Sequence, residues 1–224
     1  ASPWTGFHNL AFTIGSNTMI TLPDAELGAM IGGYLTDNIY AAASIIDAGF
    51  QPTSMFGVFE TLFGDFNNFK TAEIGITGGG KRFLFNNAHI AVWQQDESDV
   101  SGVQNGWGVN VSVSHVVGDH WLPFMRAARA HEGGGLYDRS VSGGFGYQNK
   151  PGGNQLGVGL NWGSPNSDAF GVDLDDQWIS EVYFRIQLTE NLRITPNLQI
   201  VVNPALNPDK NAVALFGLRA QMTF

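Results

Sequence analysis

The feature that most constrains this chain is an alternation of apolar and polar side chains, two residues in period, that recurs along almost its whole length. Twelve stretches carry it, near 4–14, 26–35, 38–48, 67–77, 81–93, 105–117, 120–131, 137–147, 153–163, 177–189, 191–202 and 212–224. Such alternation, enriched in β-branched and aromatic residues, marks strands, whose successive side chains point to opposite faces. In 177–189, Trp178, Val182, Phe184, Ile186 and Leu188 fall on one face, and Glu181, Tyr183, Arg185 and Gln187 on the other. In 191–202, Leu198 and Ile200 oppose Arg193, Thr195, Asn197 and Gln199; in 212–224, Phe216 and Leu218 oppose Arg219 and Gln221. Helical spacing competes only over Ser54 to Phe63.

The links alternate as well. Short ones (Thr36-Asp37, Gly78 to Gly80, Gly118-Asp119, Gln148 to Gly152, Glu190-Asn191) take turns with longer ones at 15–25, 49–66, 94–104, 132–136, 164–176 and 203–211. Antiparallel up-and-down strands with tight turns at one end and long loops at the other describe a bacterial outer-membrane barrel. Sandwiches mix their connections through Greek keys. The reading is therefore all-β: an antiparallel up-and-down transmembrane β-barrel of about twelve strands, one domain over residues 1–224. Phe224, closing an alternating strand, agrees with that class.

Composition separates this reading from a soluble sheet. Charged residues make up 14% of the chain, against about 25% in ordinary soluble domains. The polar faces carry Asn, Ser, Thr, Gln, Gly and a few Arg, which suits a wet, narrow lumen better than bulk water. No run of roughly 18 apolar residues is present for a membrane helix; the uncharged run Val100 to Gly118 is full of Ser, Asn, Gln and Gly. Eleven Lys and Arg against twenty Asp and Glu give a net charge of -9, which argues against a nucleic-acid partner. The lack of Cys excludes a disulfide framework and thiolate metal sites. Ala1-Ser2-Pro3 has no signal-peptide character, so a mature product or a fragment is expected.

Four arginines, Arg126, Arg185, Arg193 and Arg219, fall on polar faces. Each either pairs with a lumen carboxylate, as Arg185 could with Glu181, or joins a ladder whose planar donors hold sugar hydroxyls. Glu73, on the polar face of its strand with Thr71, is the expected acidic member. Tyr183, Trp93 and Phe124 read as lumen-facing rings able to stack on sugars, although Trp93, at a strand end, reads better as a membrane-rim residue. Trp107, Tyr147 and Trp162, on apolar faces near strand ends, read as an aromatic girdle. His8, His89, His115, His120 and His131 lie apart without metal-ligand spacing, so no metal and no cofactor is expected. Asp96, Glu97, Asp99, Asp168, Asp173, Asp175 and Asp176 are loop carboxylates without the calcium-loop pattern; solvation, or bridging to lipopolysaccharide through divalent ions, is their expected use. A phospholipase-like enzyme would need a Ser beside an activating His, which the sequence does not supply. A translocator would need a helix ahead of the first strand.

Several segments resemble the carbohydrate-selective outer-membrane porin family (OprB type). They are Glu181-Val182-Tyr183-Phe184-Arg185-Ile186-Gln187-Leu188-Thr189, Ile194-Thr195-Pro196-Asn197-Leu198-Gln199, Asn203-Pro204, and Phe216-Gly217-Leu218-Arg219 with the final Phe224. Leu35-Thr36-Asp37-Asn38 with Asp47-Ala48, Phe69-Lys70-Thr71-Ala72-Glu73, and Trp121-Leu122-Pro123-Phe124-Met125-Arg126 are similar to it too. The resemblance implies a homotrimer of roughly sixteen-stranded barrels in a Gram-negative outer membrane, touching lipid and lipopolysaccharide and passing sugars passively. Twelve strands then mean a C-terminal portion of a longer porin or a shortened member. The expected function is passive diffusion of small sugars and other hydrophilic solutes past Arg126, Arg185, Arg193, Arg219, Glu73, Glu181, Tyr183, Gln199 and Trp93. A general or anion-selective porin is the alternative, ahead of a non-channel barrel.

Overall fold

The structure, a computed structural model, describes residues 6–12, 17–19, 27–48, 64, 67–78, 85–97, 104–133, 135–150 and 152–223. Eleven strands form one sheet: β1 Gly28–Tyr34, β2 Ile39–Asp47, β3 Asn68–Thr77, β4 Asn87–Gln95, β5 Gly106–Ser114, β6 Trp121–Glu132, β7 Tyr137–Gln148, β8 Gln155–Pro165, β9 Gln177–Gln187, β10 Leu192–Val202 and β11 Ala212–Met222. Each pairs antiparallel with the strand before and after it in sequence. A one-turn helix, α1 Ser167–Phe170, interrupts the β8–β9 link. No helix among the described residues is long and apolar enough to cross a membrane. The stretch Ser54 to Phe63, with its helical spacing, and the terminal Phe224 lie outside the described residues.

The tight reversals need particular residues. Gly118 and Asp119 take left-handed φ angles of 58° and 60°, which lets the chain turn back between Val117 and Trp121, bridged to each other. At this end of the sheet most links are short; β6 and β7 are the exception at the other end, joined through residues 133–136 alone.

Two expectations are corrected. The stretch 4–14 is not a strand: its described part, Gly6–Phe12, runs as an irregular segment ending in a 3-10 turn at Leu10–Phe12. Asn9 is the local cause. Its side-chain oxygen accepts from the Ala11 N–H at 3.0 Å and its carbonyl from the Phe12 N–H at 3.2 Å. A short polar side chain thus offers the backbone an alternative to a ladder. The second correction follows from the first. Among the described residues there are eleven strands rather than twelve, β1 and β11 do not pair, and the sheet is open.

The sheet's polarity is inverted relative to a soluble protein. Phe216, Leu218, Leu198, Ile200 and Leu160 are exposed on its outer face, while Glu181, Ser140, Ser142, Asn161, Thr195 and Asn197 are buried on the inner one. Lipid as the outer solvent removes the paradox. Aromatic rings mark both rims of that face. Trp121 packs on Tyr147, ring centroids 4.7 Å apart, at the short-turn end; Trp107, Trp162 and Trp178 stand towards the other.

Glycine explains how large rings fit on the inner face. Tyr40 lies over Gly75, Trp93 over Gly108, Tyr183 over Gly157 and Tyr137 over Gly163, each leaving no room for a Cβ. The first three pairs are direct cross-strand partners.

Candidate functional site

The inner face is curved enough that residues of β3 and β9 line one cavity. Across this concave face lies the segment Gly6–Phe12. Its apolar side packs on the wall: Phe7, Ala11 and Phe12 form a buried cluster with Ile179, Tyr183 and Val201, against which Phe124 rests. Phe7 meets Tyr183 edge-on at 5.1 Å and Phe124 at 5.5 Å. Gly159 makes room, since a Cβ there would stand 2.8 Å from the Phe12 ring.

The segment's backbone is fastened by wall side chains. Glu181, fully buried, accepts from the His8 N–H at 2.7 Å and the Asn9 N–H at 2.9 Å. The Asn197 amide donates to the same carboxylate at 3.0 Å. Asn9 in turn donates to Gln199 at 3.0 Å. Ser142 donates to the Ala11 carbonyl at 2.9 Å, Arg126 to the Phe12 carbonyl, and Arg219 to the Gly6 carbonyl at 3.2 Å. Two guanidiniums therefore hold the two ends, and one carboxylate holds the middle. Hydrogen bonds to a charged partner are the strong ones. Burial, and after it the nearby Arg219, holds the His8 imidazole below its usual value against the opposing pull of Glu181.

On one side of the segment is a cavity of about 630 Å³. Arg126 and Arg185 line one wall of it, and Glu73, His89 and Tyr40 another. The Tyr40 hydroxyl donates to Glu73 at 2.5 Å and accepts from Asn87 at 3.2 Å, and Asn87 also meets His89 at 2.6 Å. Acidic and basic groups thus share one space with many donors and acceptors. Arg193 lies further towards the short turns, where it lines a second cavity with Arg185, Lys150 and Glu190.

The nine expected lining residues thus divide. Arg185, Arg193 and Glu73 line open space. Arg126 and Tyr183 line the cavity and also meet the segment, while Glu181, Gln199 and Arg219 serve the segment. The pairing of Arg185 with Glu181 is not formed; the one ion pair among the described residues is Lys70 with Asp96, at 3.4 Å. Trp93 is neither a rim residue nor a stacking surface. It is 4% exposed on the inner face, packed with Phe69, Ala48 and Ala130. Reading the sequence missed the segment itself, with Asn197, Ser142 and the Tyr40–Asn87–His89 chain. A signal was present: Phe7 and Phe12 are an odd number of residues apart, so a strand would throw them to opposite faces.

The family profile for the carbohydrate-selective porin, OprB family, matches residues 65–224. No curated protein sequence matches the chain. Among solved structures, the high-pH structure of Pseudomonas putida OprB aligns with a TM-score of 0.66 at 13% identity, covering 89% of this chain and 59% of that one. The outer membrane channel DcaP of Acinetobacter baumannii aligns with a TM-score of 0.59 at 15% identity, covering 88% and 62%. At such identities the likeness is one of fold, and the chain spans less than two thirds of either structure.

Proposed function

The chain belongs to the carbohydrate-selective porin family of the OprB type, and from that premise we propose that it forms the constricted part of an outer-membrane channel for passive diffusion of small sugars. One observation carries the reading: the pinned segment Gly6–Phe12 narrows the concave face beside a cavity of about 630 Å³ lined by Arg126, Arg185 and Glu73. A passive pore must hold its solute weakly enough to release it. Dispersed polar groups such as Arg185, His89 and Glu73, flanked by Phe7 and Phe124, meet that requirement for a polyhydroxylated solute.

The same reading extends to the assembly. Residues 1–224 belong to one barrel domain of a homotrimer in the outer membrane of a Gram-negative bacterium, in contact with lipid and lipopolysaccharide. The edges of β1 and β11, open among the described residues, support a barrel closed by further strands. The chain acts as a channel and not as an enzyme.

Planar-bilayer recording of the native porin tests the function. Millimolar mono- or disaccharide is expected to reduce the current, and Arg185→Ala to weaken that block and shift selectivity towards cations. Block by phosphate with no response to sugars would favour an anion-selective porin instead.

A further inference from the structure

Arg129 and Arg139 have no part in the site above. Both are exposed, and strand alternation puts them on the outer face. Their neighbours two residues along, Ala127 and Val141, and then Met125, belong to that face, whereas Ala128, Ala130, Ser140 and Ser142 are buried on the inner one. In the β6–β7 register Arg129 stands directly opposite Arg139. Like charges so opposed are unfavourable, and neither has a carboxylate within ion-pair distance among the described residues. Asp138, beside Arg139 in the chain, feels Arg139 and His131 on one side and Asp168 on the other.

The pair sits where the apolar band ends. Below it the outer face is Val111, Met125 and Val141; above it His131 pairs with Trp107, their rings 6.0 Å apart. Trp107 is 55% exposed, as suits a ring at the headgroup level. This end of the sheet carries the long loops, which in barrels of this class face the cell exterior. Arginine at that level reaches up into the headgroups, and its planar fork matches phosphate.

We propose that Arg129 and Arg139 together clamp a phosphate of the outer leaflet's glycolipid, the lipid A part of lipopolysaccharide, with His131 and Trp107 at the edge of the site. The proposal rests on the membrane-barrel reading and not on the sugar channel. An anion between the two guanidiniums turns a repulsive pair into a bridged one. Directly opposed residues have Cβ atoms about 5 Å apart, close enough for both side chains to reach one phosphate.

The test is the lipid A that stays with the native porin through extraction in mild detergent, measured per protein by mass spectrometry. The double variant Arg129→Gln/Arg139→Gln should retain roughly tenfold less, a loss of about 1.4 kcal/mol, while Lys150→Gln, a charge removed at a short turn, should retain the wild-type amount. Sugar block, recorded on the same samples, reports separately on the channel reading. Undiminished retention in the double variant would overturn the clamp. Should the double variant fail to reach the membrane, wild-type protein in phosphatidylcholine bilayers decides. Lipid A should raise its thermal stability and dephosphorylated lipid A should not; an equal rise with both, or with phosphatidylglycerol, would overturn the assignment.

Discussion

Tyr183 lies flat across Gly157, its cross-strand partner, so closely that a Cβ on the glycine would stand 2.1 Å from a ring carbon. The ring in turn carries the edge of Phe7, so the glycine sets how deep the constricting segment sits. Gly157→Ala is expected to push Tyr183 and Phe7 inward. Overpacking of this kind costs about 1–3 kcal/mol. The checks are the urea midpoint of the folded porin in detergent and its single-channel conductance; the midpoint should fall and the conductance should drop. A variant indistinguishable in both would show that the ring has room to move elsewhere.

The wall was legible in the sequence, and the segment crossing it was not, for a physical reason. A strand's two faces are written as period two, so β9 to β11 could be read down to the side of each residue, as Arg185 and Leu218 attest. The role of an inward side chain depends on what lies opposite, and that comes from another part of the chain. Glu181 reads as a lumen carboxylate; only the fold brings His8 and Asn9, more than 170 residues away, onto its two oxygens. The 29 glycines can be counted in the sequence, but not placed there as the seats of Tyr40, Trp93, Tyr137 and Tyr183.

Glu181 is the single fastening that accepts from two backbone N–H groups of the segment. In Glu181→Gln the shape is kept, but one oxygen becomes a donor facing a donor. A buried donor left without an acceptor costs about 1–3 kcal/mol, borne locally by the segment rather than by the eleven paired strands. Conductance is expected to rise, with noisier open-channel current and weaker sugar block, at nearly unchanged thermal stability of the barrel. Quiet current of wild-type amplitude would show that Arg126, Arg219 and the Phe7 cluster suffice.

His8 gives the fastening a pH dependence. Burial and Arg219 lower its proton affinity in the pinned segment, while a released segment titrates near the usual value of about 6.5. The released form therefore takes up a proton first as pH falls. Pinning is complete above about 6.5 and weakens as pH drops through that value towards the lowered one. Glu181 and Arg219 are the charged groups that face the ring. Open-channel noise should increase between pH 7.5 and 5.5, and His8→Asn should flatten the trend. A flat wild-type profile would remove His8 from the account.

The two faces of β11 can be compared at neighbouring positions. Leu218 is 66% exposed on the outer face, whereas Gln221 has the opposite parity and points inward. A cation at the bilayer midplane of a barrel costs about 2–4 kcal/mol, because its charge must leave water or thin the membrane around it. In a wet lumen the same cation stays hydrated. Leu218→Lys should therefore lower folding into lipid vesicles severely, read as loss of the heat-modifiable band on a gel, while Gln221→Lys folds close to normally. The lysine at 221 adds positive charge to the lumen and should reduce cation flow. Equal folding of the two variants would mean that Leu218 does not face hydrocarbon, and that a protein surface covers this part of β11.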